Sequence, residues 1–214
     1  MIDSNFLKIG KIKSLNVSRE TLKELEIYSD SILLKNKEIN LISRNSEKVI
    51  KTRHIEDSAQ TIEFIDKNDI KICTDLGSGA GLPGIVLGIL MKQKNPLFKL
   101  ILYEKSFHKS KFLEEMTKKF SLNSEIHRKN IFDEKNLSTD VIISRAFKPL
   151  PIIFQIAQNN FKSFKYIILF LGKSGNKILE DALKIWKFDY KLKKSLTSNG
   201  SMIVKVSNLK KVNV

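Results

Sequence analysis

Hydrophobic positions along this chain change their spacing near residue 70. Before it they recur at helical intervals. Leu22, Leu25, Ile32 and Leu33 follow an N-capping Ser18 with Glu20 in the first turn. A second helical stretch is predicted from about Ser46, carrying Val49, Ile50, Ile55, Ala59 and Ile62. From Lys71 onward, short β-prone runs alternate with helical patterns. Strands are predicted at 72–76, 99–104, 124–127, 140–144 and 166–171, and helices at 83–92, 107–120, from about 149–151, and at 176–186. Two late strands, 188–195 and 201–207, flank Asn199-Gly200, a hairpin-turn dipeptide. Such alternation predicts right-handed βαβ units and a mostly parallel α/β sheet ending in an antiparallel hairpin. Residues 1–70 are expected to form a helical extension packed on a core domain of residues 71–214, in one compact unit.

Composition narrows the class further. At 214 residues and 42% hydrophobic content, one ordinary domain with a real core is expected, not a disordered chain. The longest apolar runs are far shorter than the ~18–20 residues of a spanning helix, so no membrane association is expected. Asp3, Lys8, Lys11, Lys13 and Arg19 interrupt any apolar core of a signal peptide. Cys73 is the only cysteine, which fits a reducing, cytoplasmic setting.

Net charge is +15, and 33 of the 38 basic residues are Lys, a bias that genomic composition can produce alone. Its distribution says more: residues 1–70 hold 12 basic and 12 acidic groups, 71–161 hold 14 and 8, and 162–214 hold 12 and 3. This asymmetry favours a polyanionic partner. Lys148, Lys173, Lys193 and Lys194 are candidates for holding phosphates, as are Arg53 and His54 in the N-terminal region.

The strongest local signal is Asp75-Leu-Gly77-Ser-Gly79-Ala-Gly81-Leu82-Pro83-Gly84, after the first predicted strand and before a helix. In an open α/β sheet ligands bind there, beyond the carboxyl ends of the strands. Pro83 suits the first helical turn, and the helix N-terminus can receive a carboxylate or phosphate. Gly79-Ala-Gly81-Leu-Pro-Gly84 matches the dinucleotide pattern literally, with Glu104 at the distance of a ribose-binding acid. Asp75 argues the other way, because a carboxylate before the first glycine repels a pyrophosphate but pairs with the α-ammonium of S-adenosylmethionine. A methyltransferase is therefore favoured over an NAD(P)-dependent oxidoreductase, with a non-catalytic RNA-binding module as a third reading. Lys129 and Asn130 follow the third strand, where an adenine is held in this plan. Arg145 ends the apolar run Val141-Ile-Ile, either facing the methyl group or in a structural salt bridge. His54, His108 and His127 have no metal-ligand spacing, so no metal is expected.

With these residues the chain resembles the RsmG (GidB) family of bacterial small-subunit ribosomal RNA methyltransferases. The resemblance rests on Asn40-Leu41 with Arg53-His54-Ile-Glu-Asp57-Ser58, on the glycine stretch with its Leu-Pro-Gly, and on Val141-Ile-Ile-Ser144-Arg145-Ala-Phe147. It implies a class I, Rossmann-like methyltransferase fold with seven strands, S-adenosylmethionine as cofactor, and N7 of one guanine in 16S ribosomal RNA of the 30S subunit as acceptor. It places Gly77 and Leu82 against the cofactor, Lys129 and Asn130 beside its adenine, and Arg145 in the same cleft. Asn130 departs from the acid that many members carry. Gly77→Val is expected to push a branched side chain into the methionine moiety. A monomer acting by positioning is expected, since guanine N7 bears a lone pair and no proton and needs no general base.

Overall fold

The computed structural model describes residues 17–66 and 68–212; the charged positions Asp3, Lys8, Lys11 and Lys13 lie outside them. Helix α1 (Arg19–Asn36) begins as its sequence predicts, with the Ser18 hydroxyl accepting the Thr21 amide. Of the predicted apolar positions Leu22, Leu25 and Ile32 are buried and Leu33 is half-buried, and Tyr28 joins the buried face.

The second N-terminal stretch is not one regular helix. It breaks into α2 (Arg44–Glu47), a π-helical turn (Lys51–Glu56), the short α3 (Asp57–Ala59) and a 3-10 turn (Gln60–Phe64). Ile50, Ile55, Ala59 and Ile62 are buried as expected, but Val49 is exposed. Widening to π geometry shifts the phase of the chain, so that polar Asp57, Ser58, Gln60 and Thr61 also turn inward. Simple 3.6-residue spacing cannot anticipate that face.

Nine strands follow among the described residues: β1 (Ile72–Leu76), β2 (Lys99–Tyr103), β3 (Ser124–His127), β4 (Leu137–Ser138), β5 (Val141–Ser144), β6 (Phe161–Ser163), β7 (Tyr166–Leu171), β8 (Trp186–Lys194) and β9 (Met202–Lys211). Seven of them form the main sheet in the order β3-β2-β1-β5-β7-β9-β8. Pairings through β7 are parallel, and β9 runs antiparallel to both β7 and β8. The remaining helices are α4 (Gly84–Met91), α5 (Phe107–Lys119), α6 (Leu150–Asn160) and α7 (Gly175–Leu183). The alternation of patterns predicts this mostly parallel sheet with its antiparallel end, and the seven-strand order is the class I methyltransferase plan that the family resemblance implies.

Both sheet faces are covered, which is why β5 reads as unbroken Val-Ile-Ile rather than as an alternating strand. Val141 and Ile143 pack toward α1, α4 and α5, and Ile142 packs toward α6 and α7. Leu25, Tyr28 and Ile55 from the N-terminal region share one apolar cluster with Ile85, Leu87 and Phe112.

Three further details depart from the sequence reading. β4 and β6 make a small two-stranded parallel sheet too short for any pattern to announce. The last helix stops at Leu183, because Trp186 turns inward to start β8 against Phe154. The β8–β9 connection is not a two-residue turn: residues 195–201 form a longer loop held by Asp57 and Gln60. The Leu196 amide donates to the Gln60 side chain, and Gly200 takes a positive φ within the loop.

Candidate active site

The carboxyl ends of β1, β2, β3 and β5 surround a cavity of about 490 Å³, within the range of small-molecule sites. Its floor is the glycine loop after β1. Gly77, Gly79 and Gly81 all have positive φ, and the loop is pinned from three sides. The Ser78 amide donates to the Tyr103 carbonyl at 3.0 Å. Glu104 accepts the Gly79 amide at 2.9 Å and the Ser106 amide at 2.8 Å, one on each oxygen. From behind, the Tyr28 hydroxyl of α1 donates to the Ala80 carbonyl.

The demand for glycine at position 77 has a specific cause. A Cβ there would stand 2.1 Å from the Phe147 ring, on a backbone at φ +68°. Phe147 lies there because Ala146, at φ +52°, turns the chain back after β5. A side chain at position 77 therefore collides with the protein itself, before any ligand is involved, a cause that adds to the expected contact with the methionine moiety.

Asp75 does not line the cavity. It is 1% exposed beneath the loop, and its Oδ2 accepts the first amide of α4, that of Gly84, at 3.0 Å. The acceptor at this helix N-terminus is thus the protein's own carboxyl group, and Pro83 takes the N-cap place rather than the first turn. Burial pushes the Asp75 carboxyl up to about 7, against the pull of the Gly84 amide and with help from the Glu104 charge. Its Oδ1 is buried without a hydrogen-bond partner among the described residues. Gly81 also lies behind the lining, against Tyr28 and Ile85.

Gly77, Gly79, Leu82, Glu104, Lys129, Asn130, Arg145, His54 and Lys148 do face the cavity. Lys129 also pairs with Glu134 at 3.2 Å. Arg53 and Lys173 are not among the lining residues, and Lys193, weighed as a phosphate contact, is paired with Glu63.

Arg145 is engaged mostly with the N-terminal segment. Its guanidinium meets Asp57 at 3.3 Å, donates to the Arg53 and His54 carbonyls at 2.7 and 3.4 Å and to the Ser58 hydroxyl at 3.2 Å, and lies over the Phe170 ring. This geometry matches the salt-bridge reading of that residue. Asp57 in turn accepts the hydroxyls of Ser195 and Thr197 at 2.8 and 2.7 Å. One carboxylate therefore joins the end of β5, the π-helical segment and the β8–β9 loop. His54 bonds the Ser46 hydroxyl at 2.9 Å, and burial together with Arg145 and Arg53 lowers it to about 4, so the imidazole is neutral near pH 7.

The lining also holds residues that the sequence reading did not single out as site residues: Leu41, Ile42, Tyr103, Lys105, Lys109 and Phe147. Tyr103 ends β2, and Lys105 and Phe147 come within three residues of the ends of β2 and β5; that position is the signal that could have found these three.

The GidB family model, rRNA small subunit methyltransferase G, matches residues 21–205. The chain belongs to this family. It is 46% identical over 204 residues to ribosomal RNA small subunit methyltransferase G of Pelagibacter ubique, covering 94% of this chain and 95% of that one. The same protein of Rickettsia felis is 35% identical, over 92% and 99% of the two chains. Among solved structures, the 16S rRNA methylase RmtB superposes with a TM-score of 0.54 at 10% identity, covering 94% of this chain and 79% of that one. The methyltransferase domain of METTL16 gives 0.55 at 13% identity, over 87% and 81%. At such identities the likeness is one of fold. The chain is a small-subunit rRNA methyltransferase by family, not a dinucleotide oxidoreductase. Among the described residues no helix is long and apolar enough to cross a membrane.

Proposed function

We propose that the cavity binds S-adenosylmethionine and that the enzyme methylates N7 of a guanine in 16S ribosomal RNA. The observation that carries the cofactor assignment is the cavity's own chemistry, a floor of glycine backbone with one lining carboxylate, while the rim of Lys105, Lys109, Lys129, Arg145 and Lys148 suits the RNA acceptor. Glu104 fits a ribose. Each of its oxygens accepts one backbone amide and keeps a second lone pair for a hydroxyl donor. Gly79 has nothing but its own loop near the place a Cβ would occupy, so a ligand can lie against the main chain.

When bound, S-adenosylmethionine supplies an electrophilic methyl group. The chain's contribution is to hold two reactants in line. Glu104 would accept from the ribose, Lys129 and Asn130 would flank the adenine, and Gly77 and Leu82 would face the remainder. Arg145 and Asp57 act on the opposite wall by fixing the segment that carries His54. Guanine N7 has a free lone pair, so no side chain need remove a proton, and a neutral His54 suits that chemistry. Alignment at about 3–3.5 Å can contribute on the order of 7–11 kcal/mol to such a reaction.

The test uses tritiated S-adenosylmethionine with small ribosomal subunits lacking the modification. Label recovered as 7-methylguanine from the RNA is the expected result. No label in subunits or naked RNA, from a protein that binds S-adenosylhomocysteine, would overturn the acceptor; binding of NADH instead would overturn the cofactor.

A further inference from the structure

Phe107, the first residue of α5, is 48% exposed, between Lys105 and Lys109 of the cavity lining. A half-solvated aromatic forgoes part of the transfer free energy that burial would give it. Its ring is surrounded by cations. The Arg128 guanidinium carbon lies 5.1 Å from the centroid and the Lys111 ammonium 5.9 Å, while the His108 ring meets it edge-on at 5.5 Å.

The fold brings these groups together from two loops. Tyr103 at the end of β2 pairs with His127 at the end of β3, so Phe107 and Arg128, just beyond them, become neighbours. Lys105 and Lys109 flank Phe107 and face the cavity, as do Lys129 and Asn130 beside Arg128. Lys111 is paired with Glu114 and Lys129 with Glu134, but among the described residues Lys105, Lys109 and Arg128 have no carboxylate at ion-pair distance. Phe132, in the 3-10 turn after Asn130, is a second exposed ring on this side.

Exposed ring, guanidinium plane and unneutralised lysines together match single-stranded nucleic acid, whose bases stack on aromatic and Arg faces while its phosphates attract Lys. In A-form RNA the groove that displays guanine N7 is too deep and narrow to admit an active site, so the acceptor must lie in an unpaired or opened segment. Its neighbours are then also free to leave their stack. Resting on the methyltransferase reading of the cavity, we propose that Phe107 and Arg128 form a stacking platform for an unpaired base adjacent to the methylated guanine, with Lys105 and Lys109 holding the phosphates between them. The lysines at the opposite end of the sheet, Lys187 and Lys210, take no part in this.

The test is equilibrium binding of unmodified small-subunit RNA to the intact protein between 50 and 200 mM salt, with calorimetric titration of S-adenosylhomocysteine alongside. Phe107→Ala should weaken RNA binding roughly 10- to 100-fold at every salt concentration, because stacking rather than ion pairing is lost. Phe107→Trp should restore affinity. Lys109→Ala should lower the salt slope by about 0.7, the share of one phosphate contact to a single strand, and Lys210→Ala should leave it unchanged. S-adenosylhomocysteine affinity should stay within about twofold for Phe107→Ala. Wild-type RNA affinity in Phe107→Ala, or equal losses for the Ala and Trp variants, would overturn the platform. A wild-type protein that binds RNA but neither binds S-adenosylhomocysteine nor transfers a methyl group would instead overturn the parent reading.

Discussion

The two walls of the cavity are built by opposite means. On the glycine-loop side, main-chain amides do the holding: Gly79 and Ser106 on Glu104, Gly84 on Asp75, Ser78 on the Tyr103 carbonyl. On the side formed by residues 51–60, side chains do it, through Arg145 and Asp57. A backbone-held wall tolerates almost no added atoms, whereas a wall held by charged side chains tolerates volume but not an unpaired charge. The largest effects of substitution should therefore be steric on one wall and electrostatic on the other.

Gly77→Val should have the largest effect. The collision with Phe147 and the positive φ act together, and calorimetry should detect no S-adenosylhomocysteine binding by a protein that is still folded by circular dichroism. Pairing the milder Gly77→Ala with Phe147→Ala should recover part of the binding. If Gly77→Ala alone binds normally, Phe147 is not what excludes a side chain.

Asp57→Ala comes next. It leaves the largely buried Arg145 guanidinium without its carboxylate and frees Ser195 and Thr197 at the same time, at an expected cost of about 3 kcal/mol in urea unfolding. Asp57→Ala with Arg145→Met should be less destabilised than the sum of the two single changes. Additive losses would show that the ion pair is not what joins the segment to β5. A smaller effect belongs to Tyr28→Phe, which removes one hydrogen bond from α1 to the loop. About 1 kcal/mol of stability and a severalfold loss of cofactor affinity are expected, and unchanged affinity would separate α1 from the site.

The same contrast sets what could be read in advance. The backbone-held wall was legible because its requirements are local: an acid at the end of a strand, three alternating glycines and a helix start follow one another within ten residues. The family resemblance rested in part on the same residues. Asp75 was legible as important but not as buried, since a side chain's direction at a strand end depends on the loop that closes over it. The other wall was legible only as a motif around Arg53 and His54. Its bonds join residues about 90 and 140 positions apart, and the π-helical turn that creates them leaves no periodic signature. Phe147 was missed for the same reason: its contact is with Gly77, seventy residues earlier, through a left-handed Ala146.

The smallest expected effect is a pH dependence that the two walls hide from each other. Asp75, on the backbone-held wall, titrates at about 7 when folded against an ordinary 3.8, because burial disfavours its charge. Between those values the folded state binds the proton and the unfolded state does not, so this group lowers stability as pH rises from about 4 to about 7. His54, on the other wall, titrates at about 4 when folded against 6.5, through burial and the Arg145 and Arg53 charges. Here the unfolded state binds the extra proton, so stability rises as pH climbs from about 4 to about 6.5. Each slope approaches about 1.4 kcal/mol per pH unit at most, and over their shared window they oppose each other. Urea midpoints of the wild type at pH 4.5, 5.5 and 6.5 should accordingly differ less than those of either variant. Asp75→Asn keeps an acceptor for the Gly84 amide and should make stability climb across that range; His54→Gln should make it fall. If both variants track the wild type, the two groups are not perturbed by their walls, and the electrostatic half of the contrast fails.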